Sequence, residues 1–290
     1  MDRMFDSRSQ LVFEGIGDFD VVKAFDSGQT FRFRQTSQNS VEGIVGGQLL
    51  GLAQEGERIT ATFETGAFDK QQLFSYLAFD VDYKYILGQI NTDEIMSGAL
   101  KSGKGIRVLR QDLWECLITF ILSQNNNIPR IASLVQSLCA ALGEPFGSDQ
   151  YFAFPTPQQV LSGGMDVLSK LKMGYRDEYV YLAAKLVAEG DLDLKALAAK
   201  ETKDAKTSLM GLKGVGSKVA DCVLLFGMAR YEVCPHDVWV KKVFSERYGF
   251  GQVSEKQTYG FAKEKWGAYA GIAQQFLFYH ERNDKASKGT

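Results

Sequence analysis

The chain has 290 residues, 45% of them apolar and 23% charged, with a formal net charge of -2 at pH 7. These values describe a folded globular protein with room for one large core or two smaller ones, and they give no general electrostatic support for a polyanionic partner. No stretch reaches the roughly 18 unbroken apolar residues of a membrane span, and "MDRMFDSRSQLVF" carries no secretory core, so a cytoplasmic or nuclear protein is expected.

In chain order, "QLVFEGI", "TFRFRQ", "SVEGIVGGQLLGLAQEG" and "RITATFET" alternate apolar and polar residues, with glycine clusters and "QNS" as turns. That alternation predicts a half-buried antiparallel sheet, with "DKQQLFSYLAF" as a helix beside it. "KSGKGIRVLR" gathers Lys101, Lys104, Arg107 and Arg110 without an acid, which reads as a solvated basic surface. From about residue 110 the apolar period becomes 3.6. "DLWECLITFILSQ", "IPRIASLVQSLCAALG", "TPQQVLSG", "MDVLSKL", "RDEYVYLAAKLVAEG", "DLKALAAK", "KDAKTSLMGL", "SKVADCVLLFGMA", "HDVWVKKVFSERYG" and "KEKWGAYAGIAQQFLFYHER" follow as helices, and "NDKASKGT" as a frayed tail. The expected class is therefore α+β: a twisted antiparallel sheet domain over residues 1–108, then an all-α domain over 109–290. Cys116, Cys139, Cys222 and Cys234 stand apart and there are only two histidines, a pattern that fits neither a zinc site nor an iron-sulfur cluster and predicts unpaired thiols.

The stretch with the most chemistry is "LMGLKGVGSKVADCVLL", where two helices meet across "LKGVG" as a helix-hairpin-helix. Gly214 and Gly216 permit positive φ and close backbone approach, and their N–H groups at a helix start suit a phosphate oxygen. The carbonyls of Met210, Leu212 and Val215 are placed to hold a monovalent cation bridging to phosphate. Spacing alone equally allows a glycine-closed αα-turn with no ligand. Lys218 falls in the first turn of the second helix, where the helix dipole disfavours a charged amine; a neutral amine is what a nucleophile requires, while a cationic one contacts phosphate. Nineteen residues on, "VCPHDVWVKKV" puts Asp237 at a helix start, as a cap or as a carboxylate returning toward Lys218 to stabilise positive charge at a sugar carbon.

"LKGVGSKVADC" followed by "VCPHDV" resembles the lysine-bearing, bifunctional branch of the helix-hairpin-helix DNA glycosylases. "DSGQTFRFR", "SQNNNIPR", "MGYRDEY" and "GAYAGIAQQFLFYH" narrow the resemblance to the 8-oxoguanine DNA glycosylases, over about residues 10 to 282. The resemblance implies Lys218 as nucleophile and Asp237 as its carboxylate partner. It implies that the Gly28 carbonyl accepts from the N7–H that distinguishes 8-oxoguanine from guanine. Cys222 and Phe278 would face the two sides of the extruded purine, and Gln274 its Watson–Crick edge. Asn125, Arg130 and Arg176 would address the estranged cytosine, with Tyr175 as the wedge. Family members with a histidine two residues after the aspartate use it on phosphate; here that position is Trp239, and His236 is the residue placed to compensate.

On this resemblance the expected function is excision of 8-oxoguanine, preferably opposite cytosine, through a lysine Schiff base, followed by β-elimination. No metal or organic cofactor is required, the partner is double-stranded DNA rather than a membrane, and the expected state is a monomer. The rival readings keep the fold with another damaged base, or keep only the hairpin as a non-catalytic DNA clamp.

Overall fold

Alternating burial in the first part of the chain becomes a sheet because every second side chain lies on one face. The computed structural model describes residues 8–64, 68–146 and 151–288. Strand β1 (Arg8–Phe13) and helix α1 (Val21–Asp26) precede β2 (Phe33–Ser37), β3 (Ser40–Val45), β4 (Gln48–Glu55) and β5 (Arg58–Glu64). The strands pair antiparallel in the order β1-β5-β4-β3-β2, with Leu50 opposite Phe63 and Leu52 opposite Ala61. These four residues, with Ile59 and Val41, are buried against Val21, Ala24 and Phe25 of α1 and Leu73 of α2 (Lys70–Tyr76).

Two helices absent from the sequence reading come next, α3 (Tyr83–Ile90) and α4 (Glu94–Ser102), started by the N-caps Asp82 and Asp93. After them run α5 (Leu113–Leu122), α6 (Ile128–Leu142), a two-residue strand pair of β6 (Pro145–Phe146) and β7 (Tyr151–Phe152), α7 (Pro157–Leu168) and α8 (Arg176–Ala188). The chain continues through α9 (Leu194–Ala199), α10 (Thr202–Met210), α11 (Ser217–Met228), α12 (Val238–Lys242), α13 (Glu255–Trp266) and α14 (Ala270–Lys288). The expected frayed tail is thus helical as far as Lys288. All residues of α5 from Cys116 to Leu122 are buried, as in a helix enclosed by others, and α11 packs along it with Phe226 stacked on Phe120 at 5.3 Å and 10°.

The two cores do not divide at residue 108. Tyr83, Ile86, Ile90, Met96, Ala99, Ile106 and Val108 join the helical core, while Leu109 joins that of the sheet. Nor is the basic run a uniform surface. Lys101 and Lys104 are exposed, but Arg107 is buried; its Nη1 donates to the carbonyls of Ala78 and Val81 at 2.6 and 3.1 Å, and its Nη2 to both Asp18 oxygens at 2.6 and 2.7 Å. A guanidinium fits there because its planar fork serves four oxygens at once.

Arg107→Met should therefore cost about 3 kcal/mol in urea unfolding, since it removes one hydrogen bond from each of two carbonyls and takes the buried cation away from the Asp18 carboxylate. Arg34→Ala, at the exposed Arg34–Glu42 pair, should cost less than about 1 kcal/mol.

Candidate active site

Most helices here begin under a side-chain cap: Asp20, Asp69, Asp82, Asp93, Asp112, Asn127, Thr156, Asp193, Asp237 and Ser254 each accept from a first-turn N–H. At α11 the N-cap is Gly216, which has no side chain to cap with. The first-turn amides of α11 thus keep their hydrogen-bonding capacity at the positive end of a 12-residue helix, an arrangement suited to an anion. Gly216 has φ -86°, so its expected positive φ is not found; its contribution is the open space where a Cβ would meet nothing within 4 Å. Gly214 does take φ +83°, and a Cβ there would lie 2.1 Å from the Tyr179 ring, so the turn closes only around glycine. Of the three turn carbonyls, that of Leu212 already accepts from Val215 N–H at 3.0 Å; among the described residues no histidine, cysteine or carboxylate cluster could hold a metal.

One turn inside this bare end, Lys218 and Cys222 line a cavity of about 720 Å³, together with Gly28, Asn125, His236, Asp237, Trp239, Gln274 and Phe278. The Lys218 amine donates to Ser123 Oγ at 3.1 Å, and the Ser123 hydroxyl donates onward to the Phe120 carbonyl at 2.8 Å. The same amine stands 5.3 Å from the centroid of the Phe120 ring. Neither Ser123 nor Phe120 figured in the sequence reading, although Ser123 opens the quoted "SQNNNIPR".

Asp237 caps α12 through its Oδ1, which accepts from Val240 N–H at 2.8 Å. Burial raises its carboxyl above the ordinary range; the Val240 amide and the charge of Lys218 oppose that rise. Cys222 is buried, and its thiol is pushed up to about 12 by burial even with Lys218 beside it. Across the cavity, Gln274 is 3% exposed and its Oε1 is buried without a hydrogen-bond partner, an acceptor turned to a site that supplies none from the protein. The Phe278 ring lies over Gly28, whose φ is +77° and whose Cβ, if present, would meet the ring at 2.9 Å. Trp239 meets Phe278 edge-on at 6.4 Å and 87°, so the indole forms part of the aromatic wall. The His236 Nδ1 is 2.8 Å from Thr258 Oγ1, and burial followed by the charge of Lys241 lowers its pKa.

At the rim stands a second group. Asn125 takes φ +44°, and its Nδ2 donates to the Tyr175 hydroxyl at 3.1 Å. Arg176 holds the same turn, with Nε donating to the Gln124 carbonyl at 2.9 Å, Nη2 to that of Asn125 at 3.2 Å and Nη1 to that of Met173 at 3.0 Å, while its guanidinium covers Tyr175 at 4.5 Å. Arg130 Nη2 donates to the Lys172 carbonyl at 2.9 Å, outside the cavity lining.

Residues 12–117 match the family model of the 8-oxoguanine DNA glycosylase N-terminal domain. The N-glycosylase/DNA lyase of Saccharomyces cerevisiae is 30% identical, covering 90% of this chain and 83% of its own, and that of Arabidopsis thaliana is 31% identical, covering 89% and 76%. The chain belongs to the 8-oxoguanine DNA glycosylase family. The 8-oxoguanine glycosylase/lyase of Clostridium acetobutylicum, solved with double-stranded DNA containing cytosine opposite 8-oxoguanine, superposes on this family member with a TM-score of 0.89 at 28% identity, over 98% of this chain and all of the other.

Asn caps a helix about as well as Asp, so Asp237→Asn keeps the cap and removes a charge that burial disfavours. A carboxyl whose folded pKa is raised costs stability when ionised, at pH values above its folded pKa, and the cost disappears below the unfolded value near ~3.9. This glycosylase carrying Asp237→Asn should therefore melt at or above the wild-type temperature at pH 7. Melting curves from pH 7.5 downward should show that advantage shrinking.

Proposed function

We propose that this chain removes 8-oxoguanine from double-stranded DNA and then nicks the strand at the resulting site. The observation that carries the reading is that the Lys218 amine, the Asp237 carboxyl, the open Gln274 acceptor and the Phe278 ring line one cavity. A cavity of about 720 Å³ is ample for an extruded purine nucleoside.

In this mechanism the Lys218 lone pair attacks C1′ of the flipped nucleotide. The C1′–N9 bond breaks, its electron pair leaves with the base, and the base is protonated as it departs. The sugar passes through an oxocarbenium-like state, which the Asp237 carboxylate stabilises from a buried position where its charge is poorly screened. Loss of an amine proton and ring opening give the Schiff base, and abstraction of a C2′ proton expels the 3′ phosphate by β-elimination. Phe278 and Cys222 enclose the two faces of the base, and Gln274 Oε1 accepts from its Watson–Crick edge. The Gly28 carbonyl accepts from N7–H; guanine would present a lone pair there instead, a mismatch of polar groups that discriminates better than a difference in size.

The bare N-terminus of α11, the Gly214 turn and His236 take the flanking phosphates, with a monovalent cation on the carbonyls of Met210, Leu212 and Val215 assisting. Asn125, Arg130, Tyr175 and Arg176 fill the gap left by the extruded base and favour cytosine there, the arginines exchanging loop carbonyls for cytosine acceptors. The enzyme acts as a monomer in the DNA-holding compartment, cytoplasm or nucleus. Among the described residues no helix is long and apolar enough to cross a membrane.

The test is borohydride trapping on a duplex with one 8-oxoguanine opposite cytosine. A covalent protein–DNA band is expected that undamaged guanine does not give. Lys218→Gln should lose the band and at least ~10³-fold of the excision rate while still binding the lesion duplex. Full turnover by that variant would remove Lys218 from the mechanism.

A further inference from the structure

A carbonyl can discriminate one hydrogen on a purine only if its direction is held, and glycine is the residue least able to hold it. Gly28 at φ +77° sits in a region where the adjoining peptide planes rotate with little steric resistance. The hydrogen bonds on either side of it are unusual. The Ser27 carbonyl accepts from Gln275 Nε2 at 2.7 Å, a buried contact between residues 248 apart in sequence. The Gln29 carbonyl accepts from Gln111 Nε2 at 2.8 Å. The Gln29 side chain is itself fully buried: its Nε2 reaches the carbonyls of Ala24 and Arg107 and the hydroxyl of Ser27 at 2.8 to 2.9 Å, and its Oε1 accepts from Leu109 N–H at 2.7 Å.

We propose that Gln275, Gln29 and Gln111 form a buried amide clamp that sets the direction of the Gly28 carbonyl, and that Gln275 is a positioning residue for lesion specificity. The inference rests on the reading of Gly28 as the group that meets N7–H. Flipping the peptide plane between Gly28 and Gln29 requires opposite rotations about ψ of Gly28 and φ of Gln29. The clamp fixes the plane before that peptide through Ser27 and the plane after it through the Gln29 carbonyl, and it anchors the Gln29 side chain between them. With the flanking planes and the Gln29 side chain held, that paired rotation is the one movement left to the peptide, and a full flip would carry Gln29, which is not among the positive-φ residues, into the region disfavoured for a residue with a side chain. The clamp is also shared between the cores, since Ser27 and Gln29 follow α1 while Gln275 lies on α14. On that helix Gln274 and Phe278 line the cavity, so one rigid element carries the base contacts and sets the carbonyl opposite them.

Gln275→Met keeps the length of the side chain and deletes the donor. Three rates are compared under single turnover: excision of 8-oxoguanine, excision of guanine, and cleavage of a duplex with a preformed abasic site, which has no base for Gly28 to read. The expected result is a loss of roughly 10- to 100-fold in the ratio of 8-oxoguanine excision to abasic cleavage, with abasic cleavage within about twofold of wild type. A merely structural role would lower the two rates together, and either that result or an unchanged ratio overturns the clamp. Gln111→Met, which frees the Gln29 carbonyl from the other side, should give the same split and decides the matter if Gln275→Met does not fold. A wild-type protein that cleaves abasic sites but does not prefer 8-oxoguanine would instead remove the reading of Gly28, and the clamp with it.

Discussion

The packing of α11 along α5 is the constraint on which the rest of the site depends. Stacking of Phe226 on Phe120 and burial of Val219 through Phe226 fix the axis of α11, and an axis so fixed leaves the first turn no freedom in where it points. Ser123, at the end of α5, then receives the Lys218 amine, so the two helices that share the core also share the proposed nucleophile. Behind the hairpin, Asp221 of α11 is fully buried with Lys206 Nζ at 2.8 Å, and burial still pushes its carboxyl up to about 6. A charge of that kind on the inner face is tolerated because α10, which carries Lys206, is the other arm of the hairpin. The pair ties the arms together from a buried carboxylate on one to a partly exposed amine on the other.

Much of this was legible in the sequence because the residues concerned obey local rules. Alternation gave the sheet, the 3.6 period gave α5 to α12 and α14, and the glycine-flanked turn before Lys218 marked the hairpin, while α1 and most of α13 went unread. Helices α3 and α4 were missed although Asp82 and Asp93 cap them and Ile86, Ile90, Met96 and Ala99 fall at helical spacing. Their short length and interrupted polar faces hid a pattern that becomes plain only once they are seen against the helical core. The same cause displaced the expected border at residue 108, since composition changes there but packing does not. Arg107 illustrates the opposite failure, in which a residue type that normally marks a solvated surface is buried by partners distant in sequence.

The site was legible to a different depth. Lys218, Cys222, Asp237, Gln274, Phe278 and Gly28 were singled out from quoted motifs and resemblance, and all of them line one cavity. The contacts that hold them were not legible, because the Ser123 hydroxyl, the edge-on meeting of Trp239 with Phe278 and the amides around Gly28 join segments far apart in the chain. At Gly216 the expectation of a positive φ fails, and what the structure shows there is a missing side chain with open space around it.

All four cysteines are buried. Burial raises each thiol, to about 12 at Cys139 and Cys222 and also upward at Cys116 and Cys234. Oxidants attack the thiolate, and accessible thiolates most of all. A protein whose proposed substrate is formed by oxidation of guanine thus works where oxidants are present while offering them almost no thiolate to attack. Cys222 gains twice from this, since a protonated thiol at the cavity wall is a poor target for oxidants and a poor rival to the Lys218 amine in the proposed attack on the sugar.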